Sequence, residues 1–186
     1  TVRGRAAHAG MEPEKGINAI NVLAEIITSL PSGRIDHETT VNVGTIAGGR
    51  ATNIVAEKAE CVLEARSLNL RKLKEQEALI RSIAKEVTAE YGARCGINRT
   101  MEYSGFSISP GDRIAVLAAR AMERIGLRPQ FEVSGGGSDT NILNRAGISA
   151  INLSAGMRKV HTTGEYIMIR DLVNGTKAVL SIIDMM

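Results

Sequence analysis

The amino-acid sequence predicts an α/β chain in two parts, an α+β unit at residues 1–104 and an α/β segment at residues 105–186. The first part is predicted from two stretches that alternate apolar and polar residues, as half-buried strands do, and from two longer stretches with apolar residues at helical spacing. The second part is predicted from helical stretches that alternate with short apolar runs around a glycine-rich loop.

The first part is expected to contain six elements. In chain order they are a strand at 1–7, a helix at 16–30, strands at 39–46 and 59–66, a helix at 70–91 and a strand at 97–103. Pro31 and Gly33 end the first helix, and Gly92 ends the second. The order β-α-β-β-α-β is that of a ferredoxin-like unit, in which both helices cover one face of an antiparallel sheet.

The second part has a different rhythm. Ser109 to Asp112 is typical of a helix start, with Pro110 in the first turn. The expected elements are a helix that ends at Gly126, a strand at 130–133, a glycine-rich loop at 134–139, a short helix at 141–145, a buried strand at 148–153 and a helix at 171–186. This pattern predicts part of an α/β layer whose remaining strands lie outside the sequence.

The composition is that of a soluble globular protein, with 44% hydrophobic and 23% charged residues. Aromatic residues make up 3% and Trp is absent, which argues against single-strand nucleic-acid binding through base stacking. The net charge of +3 is small and the basic residues are dispersed among acidic ones, so no nucleic-acid footprint is expected. No apolar run approaches the roughly 18 residues that a membrane span requires.

The two cysteines, Cys61 and Cys95, are far apart in sequence and form no paired motif. This spacing favours reduced thiols and a cytoplasmic protein. The sequence has no secretory signal. It opens within an expected strand and without an initiator Met, so we expect a fragment of a longer protein.

Two histidines are candidates for chemistry. His8 follows a predicted strand and has small neighbours on both sides, which gives its imidazole room to face a cavity, although an incidental surface histidine fits as well. His161 follows the apolar run that ends at Leu153, where α/β sheets place ligands. It is a candidate metal ligand, but a zinc site needs three or four protein ligands. The third histidine lies in Asp36-His37-Glu38, which we interpret as a solvated turn.

Two glycine-rich segments are candidate ligand-binding loops. Gly135, Gly136 and Gly137 lie in Ser134–Asp139, where a backbone without Cβ atoms can approach a ligand closely, and a plain tight loop is the alternative. The other segment runs from Gly48 to Asn53 and taken singly is a hairpin connection. Arg66 closes the strand at 59–66 and taken singly is a surface arginine. The sequence contains no H-x-D, Glu-Glu or H-E-x-x-H motif, so it provides no complete hydrolytic site.

Taken together, these segments resemble the M20 metallopeptidases, and most closely their peptidase T-like tripeptide aminopeptidase branch. The resemblance rests on five segments in family order: G-R-A-A-H-A-G-M-E-P-E-K-G-I-N-A-I at 4–20, T-V-N-V-G-T-I-A-G-G-R-A-T-N-I-V at 40–55, E-A-R-S at 64–67, S-G-G-G-S-D-T-N at 134–141 and H-T-T-G-E at 161–165.

The resemblance implies a two-zinc hydrolase whose catalytic domain is interrupted by a ferredoxin-like lid that also mediates dimerisation. Residues 1–104 would be the lid, and residues 105–186 the C-terminal part of the catalytic domain. His161 matches the last zinc ligand. His8 matches a lid histidine that stabilises the oxyanion, commonly in the partner subunit's site. The family's remaining metal ligands and its general-base glutamate would precede Thr1, so this chain alone is expected to be inactive.

The resemblance also implies substrate contacts from Asn53, Arg66 and the loop Gly135–Gly137. The expected function is zinc-dependent hydrolysis of short peptides by a homodimer, in the cytoplasm and without nucleic-acid or membrane partners. Two alternatives stay open. One is an M20-type amidohydrolase acting on N-acyl amino acids, and the other is a dimerisation or binding module without catalysis.

Overall fold

The computed structural model describes residues 1–186, which separate into two units, Thr1–Thr100 and Met101–Met186. Unit 1 contains five strands and two long helices. In chain order they are β1 (Val2–Arg3), α1 (Ala19–Ser29), β2 (Gly33–Arg34), β3 (Thr39–Gly48), β4 (Lys58–Ser67), α2 (Leu70–Glu90) and β5 (Arg94–Cys95), with a 3₁₀ turn at Pro13–Lys15 before α1.

The sheet of unit 1 has the order β2-β3-β4-β1-β5, and every neighbouring pair is antiparallel. Without β2, the remaining order is that of a ferredoxin-like unit, so the predicted fold class is confirmed. The short strand β2 is an addition at the edge, beside β3. The last strand is wrong in its predicted position: it forms at Arg94–Cys95 because Cys95 pairs with Val2, and residues 97–103 form no strand.

The long hairpin β3–β4 is the backbone of the unit. It pairs from Thr39 opposite Ser67 to Gly48 opposite Ala59, with one bulge between Val43 and Thr45. Alternate residues of β4 are buried or half-buried, and the residues between them are exposed. This alternation leaves one face of the sheet to the core and the other face open.

Both helices lie on the core face. The side chain of Asn18 caps α1 by accepting backbone N–H bonds from Ile20 at 3.0 Å and Asn21 at 3.4 Å. Helical spacing brings the apolar stripes of α1 and α2 onto the sheet. The buried cluster comprises Val2, Ala19, Val22, Leu23, Ile26, Leu30, Ala59, Ile80, Ala84 and Val87. Each large aliphatic side chain in it stabilises the fold by about 1.5–3 kcal/mol.

Unit 2 is helical apart from its loops. Its helices are α3 (Arg113–Arg124), α4 (Asp139–Arg145) and α5 (Ile169–Ile183). Helix α3 packs against α5, and the buried residues on the two helices are small: Ala115, Ala118, Ala121, Ala178 and Ser181. Small side chains allow the two helix backbones to approach closely.

The two strands predicted in unit 2, at 130–133 and 148–153, are absent. Both stretches lack a neighbouring strand within the chain. In the second stretch the backbone of Ala150 bonds instead to the side chain of Asn144, through N–H to Oδ1 at 3.3 Å and C=O to Nδ2 at 2.8 Å. This apolar run therefore forms no strand.

Helix α5 has a second, uncovered apolar stripe. Ile169 is 82% exposed, and Leu172, Leu180 and Ile183 are also exposed at helical spacing from it. The α3-facing side of α5 carries the buried residues. No helix of the chain combines the length and the apolar character that crossing a membrane requires.

Candidate functional site

His8 lies at the end of the segment that continues β1, alongside residues 53–55. The backbone N–H of Val55 bonds to Ala7 C=O at 2.9 Å, and that of Ala9 bonds to Asn53 C=O at 3.0 Å. An isolated antiparallel bridge joins His8 to Ile54. The fold thus places two predicted site residues, His8 and Asn53, side by side in unit 1.

The imidazole of His8 is held through one nitrogen. Its Nδ1 lies 3.2 Å from the backbone nitrogens of both Gly10 and Met11, which donate to it. An Nδ1 that accepts hydrogen bonds carries no proton, so the neutral ring carries its proton on Nε2. His8 therefore presents an N–H donor away from its own loop.

Close backbone packing fixes the segment that leads to His8. A Cβ on Gly4 would overlap the carbonyl oxygen of Ile17, so only glycine fits there. The neighbouring residue Arg5 exchanges backbone hydrogen bonds with Ile17 at 2.9 and 3.0 Å, and its Nε donates to Lys15 C=O at 2.6 Å. These contacts fix the course of the backbone from Gly4 to His8.

Asn53 belongs to the connection between β3 and β4. Gly49 adopts a φ of +74° there, which turns the chain out of β3. An ion pair of 2.6 Å between Arg50 and Glu57 spans the loop. The side chain of Asn53 is exposed, next to the exposed His8.

Arg66 lies at the other end of β4. His8 is beside Ile54, before the strand begins at Lys58, whereas Arg66 is next to its last residue. At about 3.3 Å per residue, the strand from Lys58 to Arg66 is about 26 Å long. The structure therefore does not bring Arg66 together with His8 and Asn53 within one chain.

The guanidinium of Arg66 is forked onto Glu64. Its Nε donates to Oε1 at 3.0 Å and its Nη2 donates to Oε2 at 2.9 Å. Both side chains point to the open face of the sheet, because they are two residues apart on β4. The sequence analysis missed Glu64, although the alternation of β4 already placed it on the same face as Arg66.

In unit 2, the glycine-rich loop is fastened at both ends. Ser134 Oγ accepts the backbone N–H of Gly136 at 3.1 Å, and Asn141 Oδ1 accepts that of Ser138 at 3.0 Å. The backbone of Gly137 lies against the ring of Tyr103, where a Cβ would overlap the ring carbons. Glycine at this position is a requirement of packing within unit 2.

Asn152, a second residue that the sequence analysis missed, bonds to the start of α4. Its Oδ1 accepts from Thr140 Oγ1 at 2.6 Å, and its Nδ2 donates to Ser138 Oγ at 3.1 Å. Asn152 thus links the end of the glycine-rich loop to the apolar run that precedes the loop of His161. An isolated asparagine gives no pattern in the sequence, so periodicity had no means of finding it.

His161 lies in a self-contained loop. Its backbone is left-handed, with φ of 64°, and its N–H donates to Glu165 Oε2 at 3.0 Å. Arg158 and Tyr166 close the loop with reciprocal backbone bonds of 2.9 and 3.1 Å. A left-handed backbone is uncommon for a residue other than glycine, and here the closed loop maintains it. The imidazole is presented at an exposed position.

The chain's own residues do not fit a zinc site. Nowhere in it do three or more His, Cys, Asp or Glu side chains come close enough to hold a metal ion. His161 by itself could provide only one ligand, and a structural or catalytic zinc requires at least three from protein.

The carboxylates of Asp36 and Glu38 are engaged by Lys72, whose Nζ lies 2.9 Å from Asp36 Oδ2 and 2.6 Å from Glu38 Oε1. The backbone N–H of Glu38 and the Lys72 ammonium hold the pKa of Asp36 well below its usual range, and the two carboxylates raise the pKa of Lys72. This cluster fastens the start of β3 to α2, so the turn at 36–38 is structural.

Comparison with known proteins agrees with this fold. The model of the peptidase dimerisation domain of the M20 family matches residues 1–92. The protein YqjE of Bacillus subtilis is 39% identical over 181 residues, which is 97% of this chain and 49% of that protein. The chain belongs to the M20 peptidase family, and its first unit is the family's dimerisation domain.

Within the family, the chain is similar to aminopeptidases of the PepT type. The crystal structure of aminopeptidase PepT from Bacillus cereus matches with a TM-score of 0.79 and 40% identity, over 98% of this chain and 49% of that one. A tripeptidase from Staphylococcus aureus matches with a TM-score of 0.86 and 34% identity, over 99% and 49%. The chain thus spans about half the length of the relatives it matches. An amidase of the hydantoinase/carbamoylase family from Burkholderia vietnamiensis, 18% identical with a TM-score of 0.78 over 98% of this chain and 45% of that one, shares the fold alone.

Proposed function

We propose that the chain is the lid and a C-terminal part of the catalytic domain of a zinc-dependent aminopeptidase that hydrolyses short peptides. The observation that carries the proposal is the imidazole of His8, whose Nδ1 accepts two backbone N–H groups so that its Nε2–H is presented outward. A fixed N–H donor suits the negative oxygen that develops when a peptide carbonyl is attacked. The similarity to aminopeptidase PepT and to a tripeptidase supports the substrate class.

Asn53 and Arg66 are the proposed substrate contacts of the lid. An extended tripeptide is about 10 Å long, whereas Arg66 and the His8–Asn53 pair lie at opposite ends of a strand segment of about 26 Å. The lid of one subunit therefore cannot bring Arg66 and His8 into contact with the same short peptide. We therefore propose that Arg66 serves the site of its own subunit, while His8 and Asn53 serve the site of the partner subunit.

A homodimer through the lid fits the edge of the sheet. Strand β3 pairs with β4 along its length, but β2 covers only Thr40 and Val41 on its other side. Residues 42–48 of β3 thus have an edge that a second copy can pair with. Two identical edges related by a two-fold axis form a closed, isologous interface.

Unit 2 is the proposed returning part of the catalytic domain. The exposed apolar stripe of α5 supports a larger domain, because a stripe of this size in a soluble protein is normally covered. We propose His161 as one ligand of a zinc site whose other ligands lie outside this chain, and Gly135–Gly137 as the loop beside the bound peptide. Zinc bound there would supply an activated water. The free thiols of Cys61 and Cys95 are compatible with the proposed cytoplasmic location.

The test is kinetic and uses the whole protein with a tripeptide. His8→Ala is expected to lower kcat about 10²–10³-fold, because it removes one donor to the oxyanion. The control is His37→Ala, since the side chain of His37 is 81% exposed and its turn lies at the opposite end of the β3–β4 hairpin from His8. Unchanged kcat in the His8 variant would refute the role of His8.

A substrate panel decides the reaction class. Tripeptides, dipeptides and N-acyl amino acids are compared on the whole protein. Preferential turnover of N-acyl amino acids would refute the peptidase proposal and support an amidohydrolase. A protein that dimerises but turns over none of these substrates would support the binding module. Elemental analysis of the whole protein and of its His161→Ala variant tests the proposed zinc ligand, which predicts metal loss in the variant.

A further inference from the structure

We infer that Glu64 is a positioning residue that orients the guanidinium of Arg66 toward the carboxylate of the substrate. The inference rests on the proposed function, in which Arg66 contacts a substrate with a free carboxylate end. It gives Glu64 a role in substrate recognition, which the sequence analysis did not assign to this residue.

The geometry is that of a bidentate fork. Nε and Nη2 of Arg66 each bond to a different oxygen of Glu64, at 3.0 and 2.9 Å. Two parallel bonds fix the plane of the guanidinium as well as its distance, which a single bond does not. In contrast, Nε and Nη2 of Arg81 share one oxygen of Glu77, at 3.1 and 2.9 Å.

The base of the fork is also rigid. Glu64 and Arg66 are paired with Asn42 and Thr40 of β3, whereas β1 on the other side of β4 reaches only Lys58 and Ala59. Both are in the ladder of β4, so their Cα atoms have a fixed separation and their side chains share the open face. A fork built on a paired strand holds its direction better than one built on a loop.

The ion pair between Arg66 and Glu64 is not explained by a contribution to the stability of the fold. The side chains of Arg66 and Glu64 are 47% and 52% exposed, and ion pairs with that much solvent access contribute little to stability. The fork does, however, restrict an arginine that otherwise has many rotamers.

The consequence is a selective effect on substrates. Glu64→Gln keeps the size of the side chain but replaces one acceptor oxygen with an NH₂ group, which cannot accept from Arg66. The guanidinium then loses the pair of parallel bonds that Glu64 supplies. We expect KM to rise about tenfold for a peptide with a free carboxylate, the scale of one charge-assisted hydrogen bond, with kcat essentially unchanged.

The experiment is a double-mutant cycle in the whole enzyme, using Glu64→Gln, Arg66→Ala and the double variant. Each is assayed with a peptide acid and with the same peptide as its C-terminal amide. The expected result is a raised KM for the acid only, and no further effect of Glu64→Gln once Arg66 is absent. Glu60→Gln is the matched control, because Glu60 is on the same face of β4 and pairs with Lys58 at 2.7 Å.

The outcomes separate this inference from the proposed function. An Arg66→Ala variant that leaves the acid-to-amide ratio of KM unchanged would refute the substrate role of Arg66 itself. A changed ratio in Arg66→Ala, combined with an additive or substrate-independent effect of Glu64→Gln, would refute the positioning role alone. Thermal melting of each variant shows whether it is folded. If Glu64→Gln is unstable, Glu64→Asp replaces it: this variant retains both carboxylate oxygens, and we expect it to keep part of the preference for the peptide acid.

Discussion

Gly4 and Ile17 are in direct backbone contact, so close that the carbonyl oxygen of Ile17 occupies the place where a Cβ on residue 4 would be. Arg5 pairs with the same Ile17 through two backbone hydrogen bonds. The route of the chain from β1 to His8 therefore depends on a missing side chain.

Gly4→Ala is expected to destabilise unit 1 by about 1–3 kcal/mol, because the backbone must shift to admit a methyl group. The shift also displaces His8, so kcat of the whole enzyme should fall. Denaturant unfolding and steady-state kinetics measure the two effects. Gly96→Ala is the control, since a Cβ there meets no atom within 4 Å, and equal behaviour of both variants would contradict the role of Gly4.

The Lys72 cluster makes stability sensitive to acid. The pKa of Asp36 lies below its ordinary value of 3.8 because the folded state bonds its charged form. Its contribution is therefore present above about pH 4 and is lost as the pH falls below that value. Lys72→Met should lower the melting temperature at pH 7 and flatten its dependence on pH between 5 and 2, whereas Lys74→Met, at an exposed position of the same helix, should change neither.

The hydrogen bond of Tyr91 makes stability sensitive to high pH. Its hydroxyl donates to the carboxylate of Glu25, which links α2 to α1 and raises the pKa of Tyr91 above its ordinary value of 10.0. The neutral phenol is the bonded form, so this stabilisation is present below pH 10 and is lost as the pH rises above it. Tyr91→Phe should have a lower melting temperature than the wild type at pH 8, and its melting temperature should fall less between pH 8 and pH 11. Tyr166→Phe is the control and should change neither quantity.

Gly137 gives a corresponding test in unit 2. Gly137→Ala is expected to displace the glycine-rich loop, because the new methyl group overlaps the ring of Tyr103. We expect a higher KM for peptides and a local loss of protection in hydrogen exchange around residues 134–139. Addition of Tyr103→Ala should restore the loop in part by removing the overlap, and a double variant no better than Gly137→Ala would contradict this contact.

The sequence predicted the two helices and the β3–β4 hairpin of unit 1 because each has its own periodicity, whereas only Val2–Arg3 of the strand predicted at 1–7 forms. Val41, Val43 and the alternating residues of β4 indicate a sheet with one buried face. The first helix was predicted with Ile17, Ile20, Ala24 and Ile27 on its apolar face, but its buried residues are Ala19, Val22, Leu23 and Ile26. The register of β5 was not predictable, since Arg94–Cys95 is a strand only through its pairing with Val2. In unit 2, the run at 148–153 has the composition of a strand but no neighbour to pair with.

The candidate site shows the same limit. Motifs drew attention to His8, Asn53 and Arg66, but sequence spacing did not reveal that β4 separates them. Nor did it reveal the two N–H groups that fix the imidazole of His8, because these come from the turn geometry of Gly10 and Met11. Partners such as Glu64 and Asn152 act through contacts, which composition does not encode.

The separation of His8 from Arg66 along β4 has a genetic consequence for the proposed dimer. In that dimer, a substitution of His8 inactivates only the partner subunit's site, whereas a substitution of Arg66 impairs only the site of its own subunit. Co-expressed in equal amounts, the two variants would form mixed dimers in about half of the population, by random pairing of identical interfaces. Each mixed dimer has one intact site, so about a quarter of all sites in the mixture would be intact, although neither variant alone has any.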